Sequence, residues 1–201
     1  MNKTLIIAGT IVLFFLILFG TFGCKYNGMM NRSQTTEMAW ADVESQYQRR
    51  NDMYGNIVST IKSEANFEKT TLQAVVDARA SVGKVQVNAK DLTPESIASF
   101  QAAQQQLSSS FSRLLVTMEN YPDLKTTTAY LYFLTDIAGT ENRIQKARSD
   151  FNKAVKEYNT YILTFPGNMI AGMFGFKEKG YFKADAGSEK APDLDKAFEN
   201  K

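Results

Sequence analysis

Chemistry in this chain would have to come from carboxylates. Glu119, Asp123, Asp136, Glu141 and Asp150 lie in stretches that read as helix. Carboxylates that converge in a pocket can work as acid and base, or can hold calcium or magnesium. The spacing here supports neither role. No EF-hand pattern is present, and Glu141 and Arg143 are too close in sequence to share a helix face, although Glu141 can reach Gln145 or Arg148. A solvated helix face accounts for these residues, so no catalytic, metal-ligating or cofactor-binding residue is assigned and no cofactor is expected. The chain has no histidine, which removes Ser-His-Asp and Cys-His catalysis, His-ligated zinc and the Glu-x-x-His di-iron site. Cys24 is the one cysteine, so no internal disulfide can form. The glycines are scattered and follow no predicted strand, so no phosphate-cradling loop is present. A formal charge of +2 makes no electrostatic case for nucleic acid.

The elements that would carry these side chains are helices. Trp40, Val43, Tyr47, Tyr54, Ile57 and Ile61 recur at spacings of three and four, the period of one helix face. Arg50 occupies a slot in that stripe where an apolar residue belongs. It is read as an aliphatic stem along the core with its head in water. The competing reading is a buried ion pair with Glu141 or Glu119 on another helix.

Three blocks of sequence carry a family likeness. The first is Trp40, Asp42, Tyr47-Gln48-Arg49-Arg50, Asp52 and Asn56-Ile57-Val58; the second is Glu119-Asn120-Tyr121-Pro122-Asp123-Leu124-Lys125. The third is Glu141-Asn142-Arg143-Ile144, Ala147-Arg148, Phe151-Asn152, Val155, Tyr158-Asn159 and Phe165-Pro166, with Gly175-Phe176 and Tyr181-Phe182 after it. In this order they resemble the LemA family of bacterial membrane proteins, and the resemblance covers nearly the whole chain. Gly55 stands where the family usually has a proline. The resemblance implies an N-terminal membrane helix and a helical-bundle body, and it implies little about molecular role.

Leu5 to Gly23 carries no charge. As a helix it is about 28 Å long, close to the hydrocarbon thickness of a bilayer. It reads as a single-pass anchor in the bacterial inner membrane, with Leu5, Ile11, Phe14, Leu18 and Phe22 among its apolar residues. The alternative is a lipoprotein signal cut before Cys24. Against it stand the length of the apolar run and Phe22, where a small residue is preferred. Lys3 on one flank and Lys25 with Arg32 on the other leave no asymmetry to orient the span.

Tyr26 to Glu37, weakened by Gly28 and Asn31, reads as a connector. The first body helix then runs to about Ser63. Leu72, Val75, Val76, Arg79 and Val82 form a second, shorter stripe, and Val85 to Lys90 reads as a loop. Thr93-Pro94 starts a third helix whose heptad-like stripe, Ile97, Phe100, Leu107, Phe111, Leu114 and Met118, is interrupted by Gln104, read as a boundary position. A turn at Pro122 to Lys125 leads to a long last helix from about Thr127 to Leu163.

The expected architecture is all-α: a transmembrane helix followed by an antiparallel four-helix bundle with long first and last helices. The expected divisions are an anchor at residues 1–25, a bundle at 26–176 and a charged tail at 177–201, with Tyr181 and Phe182 docking on the bundle. Met29, Met30, Tyr158, Ile162, Met169, Ile170, Met173 and Phe174 would share a partly open apolar surface near the membrane. The alternative is that Met169 to Phe176 folds back and caps the core. The functional expectation is a non-enzymatic scaffold or adaptor, with a bilayer-organising self-assembling protein second. The expected partners are the lipid bilayer, other copies of the chain (a homo-oligomer) or other membrane proteins.

Overall fold

The three-and-four periodicity passes without a break through the segment expected to be a connector. In the computed structural model, which describes residues 3–62 and 67–184, α1 runs from Lys3 to Lys62 as one helix of 60 residues, about 90 Å long. The expected interruption at Tyr26–Glu37 is absent for a tertiary reason. A Cβ at Gly28 would collide with the Tyr161 ring. This glycine therefore serves close approach rather than flexibility, and packing overrides its low helix propensity.

The other helices are α2 (Lys69–Lys84), α3 (Pro94–Met118), α4 (Pro122–Lys125), α5 (Thr128–Leu163) and α6 (Gly167–Phe174), and the described residues contain no strand. Local chemistry sets their starts. Thr93 caps α3 by accepting the Ser96 amide at 3.2 Å, with Pro94 in the first turn. Thr127 caps α5 by accepting the Tyr130 amide at 3.3 Å. The turn expected at Pro122–Lys125 is the single helical turn α4.

The bundle alternates in direction. α5 runs antiparallel to α1, for Gly28 meets Tyr161 while Arg50 meets Glu141 and Met53 meets Thr140. α3 runs parallel to α1, with Tyr47 on Phe100 at 5.1 Å and Tyr54 stacked on Phe111 at 3.8 Å. α2 returns between them: Phe67 just before it meets Tyr121 just after α3, and Val85 just after it packs beside Phe100 near the start of α3.

Three apolar clusters follow one another along α1. The first joins α1, α2, α3, α4 and α5 around Tyr54, Ile61, Val75, Phe111, Leu114, Leu124 and Phe133. In the second, Trp40, Tyr47, Phe100, Phe151 and Val155 meet Leu92 and Phe182. Here α2 has ended, and the loop after it and a segment near the C terminus take its place. In the third, α1, α5 and α6 contribute Met29, Tyr158, Ile162, Ile170 and Ala171, and Phe176 just after α6 packs against them.

The segment 177–184, expected to open a charged tail, is built into the body. Asn159 Nδ2 donates to the Lys179 carbonyl and Asn159 Oδ1 accepts the Lys179 amide, both at 2.9 Å. Asn152 forms the same reciprocal pair with Phe182, both bonds 2.9 Å. Seven helical residues and three extended residues each span about 10 Å, so the two asparagines fit an extended strap running antiparallel to α5. From the other side, Gln101 of α3 repeats the pairing with Lys183 at 2.9 and 3.2 Å. The expected tail beyond, 185–201, lies outside the described residues.

Candidate membrane-proximal interface

Near its N terminus, the described apolar side chains of α1 are exposed. Ile7, Ile11, Val12, Leu13, Phe15, Leu16 and Phe19 are 50–73% exposed. At 100° per residue they spread over roughly 240° of the helix circumference. Of the five expected anchor residues, Ile11 is exposed and Phe22 packs against the third cluster. The side chains of Leu5, Phe14 and Leu18 lie outside the described set. Among the described residues, no helix is long and apolar enough to cross a membrane. Cys24 is exposed on the same unbroken helix.

The eight residues expected at an apolar surface divide into two sets. Met29, Tyr158, Ile162 and Ile170 are buried together in the third cluster. Met30 sits at the rim, while Met169, Met173 and Phe174 are 56–71% exposed on the outer side of α6. The chain enters α6 through a cis Phe165-Pro166 peptide. Gly167 lets α6 start tightly against the Tyr161 carbonyl, because a Cβ there would collide with it. Gly175, at φ 74°, ends α6 in the left-handed region that favours glycine.

α6 is level with residues 22–29 of α1. Phe22 and Met29 both pack into its cluster, and Tyr26 meets Phe174 at 4.9 Å and Phe176 at 5.7 Å. Lys25 and Arg32 both lie over the Tyr161 ring, 4.7 and 4.0 Å from its centroid. Aromatic rings and cations thus gather immediately after the uncharged run.

Beside this end lies a cleft of about 680 Å³, bordered by Tyr26, Met30, Glu37, Lys90, Phe176 and Lys179. Lys179 is almost fully buried, and its ammonium donates to Thr36 Oγ1 and to Ser33 Oγ at 3.0 Å, with Glu37 4.0 Å away. Burial pushes the Lys179 pKa below its ordinary value, and the Glu37 carboxylate partly offsets this. Tyr158 donates to the Lys177 carbonyl at 3.0 Å. Burial, helped by Glu37, pushes its pKa up to about 12. These groups fasten the strap to α1 and α5. Sequence reasoning missed Lys179; the signal available was Asn152 and Asn159, poor helix formers seven residues apart beside the apolar stripe.

Arg50 and Gln104 lie in the bundle interior, contrary to the readings of a solvent-reaching head and a boundary position. Arg50 Nη2 donates to Gln104 Oε1 at 2.8 Å, and Nη1 lies 3.3 Å from Glu141 Oε1. The Arg50 guanidinium also faces the rings of Tyr47 and Tyr54 at 4.8 and 5.8 Å. Glu119, the other carboxylate considered, follows the end of α3 and forms no ion pair among the described residues. Those residues also hold no group of three His, Cys, Asp or Glu able to bind a metal ion.

A family profile described as LemA family matches residues 39–195. The chain belongs to the LemA family. Among its relatives, the magnetosome protein MamQ 2 of Paramagnetospirillum magneticum is 25% identical over 189 residues, spanning 86% of this chain and 70% of the relative. MamQ of Magnetospirillum gryphiswaldense is 24% identical, over 79% of this chain and 64% of its own length. Protein LemA of Metamycoplasma hominis is 25% identical, over 86% of this chain and 77% of its own. None of these names states a reaction. The LemA-family match contains Trp40, Arg50, Asn152, Asn159 and Lys179, so the first two clusters and the strap lie within it, while the third extends beyond it at Met29 and Phe22.

Proposed function

We propose that this LemA-family protein is a non-enzymatic scaffold or adaptor held at the bacterial cell membrane by a single N-terminal span. The observation that carries the reading is the apolar exposure of α1 before Phe22. A helix apolar around most of its circumference has no place in water, and the uncharged run from Leu5 to Gly23 has the length of a bilayer core. The scaffold role draws on a body whose polar clusters are spent on holding helices and strap together. The test is flotation and alkaline carbonate washing of membranes from cells making the full chain. The protein should stay with the membranes, and Leu13→Arg with Leu16→Arg should release it, since each buried arginine costs about 2.5–3.5 kcal/mol at mid-span. Release of the unaltered chain by carbonate overturns the anchor.

A second reading, a self-assembling protein that organises the bilayer, draws on the open outer side of α6. Crosslinking in native membranes separates the two. Products linked only to copies of this chain favour self-assembly, and products linked to a foreign chain favour the adaptor.

A further inference from the structure

Beyond Asn168 at its start, the outer side of α6 carries no polar side chain that would explain its exposure. The helix reads GNMIAGMF, with Asn168 its only polar side chain. Ile170 and Ala171 face the core, while Met169, Met173 and Phe174 face outward, and Phe165 just before the helix is 78% exposed. A helix apolar on both faces needs an apolar medium on the face its own protein does not cover.

Position along α1 says which medium that is. α6 packs against the stretch from Phe22 to Met29, a length of about 10 Å. The uncharged run ends at Gly23, inside that stretch. If the run spans the hydrocarbon core, α6 falls at the boundary between acyl chains and headgroups. Interfacial helices bury their apolar face about 5–10 Å deep at that boundary. The neighbouring groups suit the same layer. Tyr26 and Tyr161 are amphipathic rings of the kind that collect there, and Lys25 and Arg32 on the Tyr161 ring are cations at headgroup height.

We propose that α6 is a second, interfacial membrane contact: its outer side enters the headgroup layer of the bilayer that receives the N-terminal run. This inference rests on the anchor reading above. The occupant of the α6 surface is lipid rather than a second copy, because the depth of α6 is fixed by its packing on the span itself.

The test uses the full chain with Cys24→Ser, reconstituted in vesicles of phosphatidylcholine and phosphatidylglycerol. A nitroxide is placed in turn at Ile11→Cys, Met169→Cys, Met173→Cys and, as a distal control, Val116→Cys. All four native side chains are exposed, and the emission of the sole tryptophan, Trp40, checks that each body is folded. Power saturation compares contact with oxygen, which partitions into lipid, against contact with a water-soluble nickel chelate. The expected result is several-fold preference for oxygen at positions 11, 169 and 173, and for the chelate at 116. Lipid contact at 11 with water contact at 169 and 173 overturns this inference and leaves the anchor standing. Water contact at all four positions overturns the anchor reading and this inference with it. Spin–spin broadening at 169 and 173, with shielding from both reagents, shows a second copy on α6 and overturns lipid as the occupant.

Discussion

Tyr158 and Lys179 sit side by side at the strap and respond to alkali in opposite senses. The folded Tyr158 holds its proton to about pH 12 against an ordinary value of 10.0. Its contribution is therefore complete below pH 10 and is lost as pH rises through 12. The folded Lys179 has a lowered pKa, so its charged form costs stability that is recovered as pH rises toward 10.5. Tyr158→Phe should be less stable than the parent at pH 8 by about 1 kcal/mol, the worth of the lost bond to Lys177. In urea unfolding of detergent-solubilised protein, the gap should close between pH 10 and 12; a gap that stays constant would show that the hydroxyl titrates normally. Arg50 and Gln104 give a second residue-scale prediction. Gln104→Leu removes the 2.8 Å acceptor from a buried guanidinium and should cost about 1–3 kcal/mol in the same assay. Combining it with Arg50→Met should recover most of that loss, because replacing both partners leaves no orphaned charge. Full additivity of the two losses would contradict the pairing. The sequence shows each of these residues as an interruption of its own stripe. That they interrupt at the same height depends on the register between α1 and α3, which the Tyr47–Phe100 and Tyr54–Phe111 ring pairs set and which no local signal encodes.

The strap is the element whose role local sequence conceals most. Caps and turns such as Thr93-Pro94 and Pro122 were readable because their chemistry acts within three or four residues. The strap has no periodicity of its own, and its backbone is satisfied by amides that are 20, 30 and 82 residues away. Phe182 nonetheless places its ring in the second cluster, stacked on Trp40 at 6.0 Å and 15° and edge-on to Phe151 at 5.5 Å. Gly180 makes this seating possible. A Cβ there would meet the Pro94 Cα at 2.6 Å and the Thr93 carbonyl at 2.9 Å, both backbone atoms that cannot swing aside. Gly180→Ala should therefore lift the strap, shift the emission of Trp40 to longer wavelength and cost about 1–3 kcal/mol. Unchanged emission and stability would mean that the strap can take up the extra methyl without leaving Trp40.

The four stripes and the turns between them made the alternating bundle legible at the scale of the whole molecule. The unbroken α1 was not legible, because the low propensity of Gly28 is outweighed by a contact with Tyr161 that lies 133 positions further along the chain (161 − 28). The bundle narrows toward one end, from α1, α2, α3, α4 and α5 around Tyr54 to α1, α5 and α6 around Met29. With the N-terminal run in a bilayer, the narrow end faces the membrane and Lys62 stands about 58 Å beyond Gly23. Neutron reflectometry of the full chain in a supported bilayer should find a protein layer of about 55–60 Å, whereas a layer near half that thickness would mean that the body lies flat. If α1 stands upright on such a span, it would also act as a mechanical lever. A tethered adaptor on a flexible linker loses all memory of how its anchor leans, but here the leaning segment and the body share one backbone hydrogen-bond ladder. A change of about 10° in the lean of the span displaces the far end by roughly 10 Å, the full width of a helix. If the run spans a bilayer, any change in that lean is thereby converted into sideways travel at the distal tip.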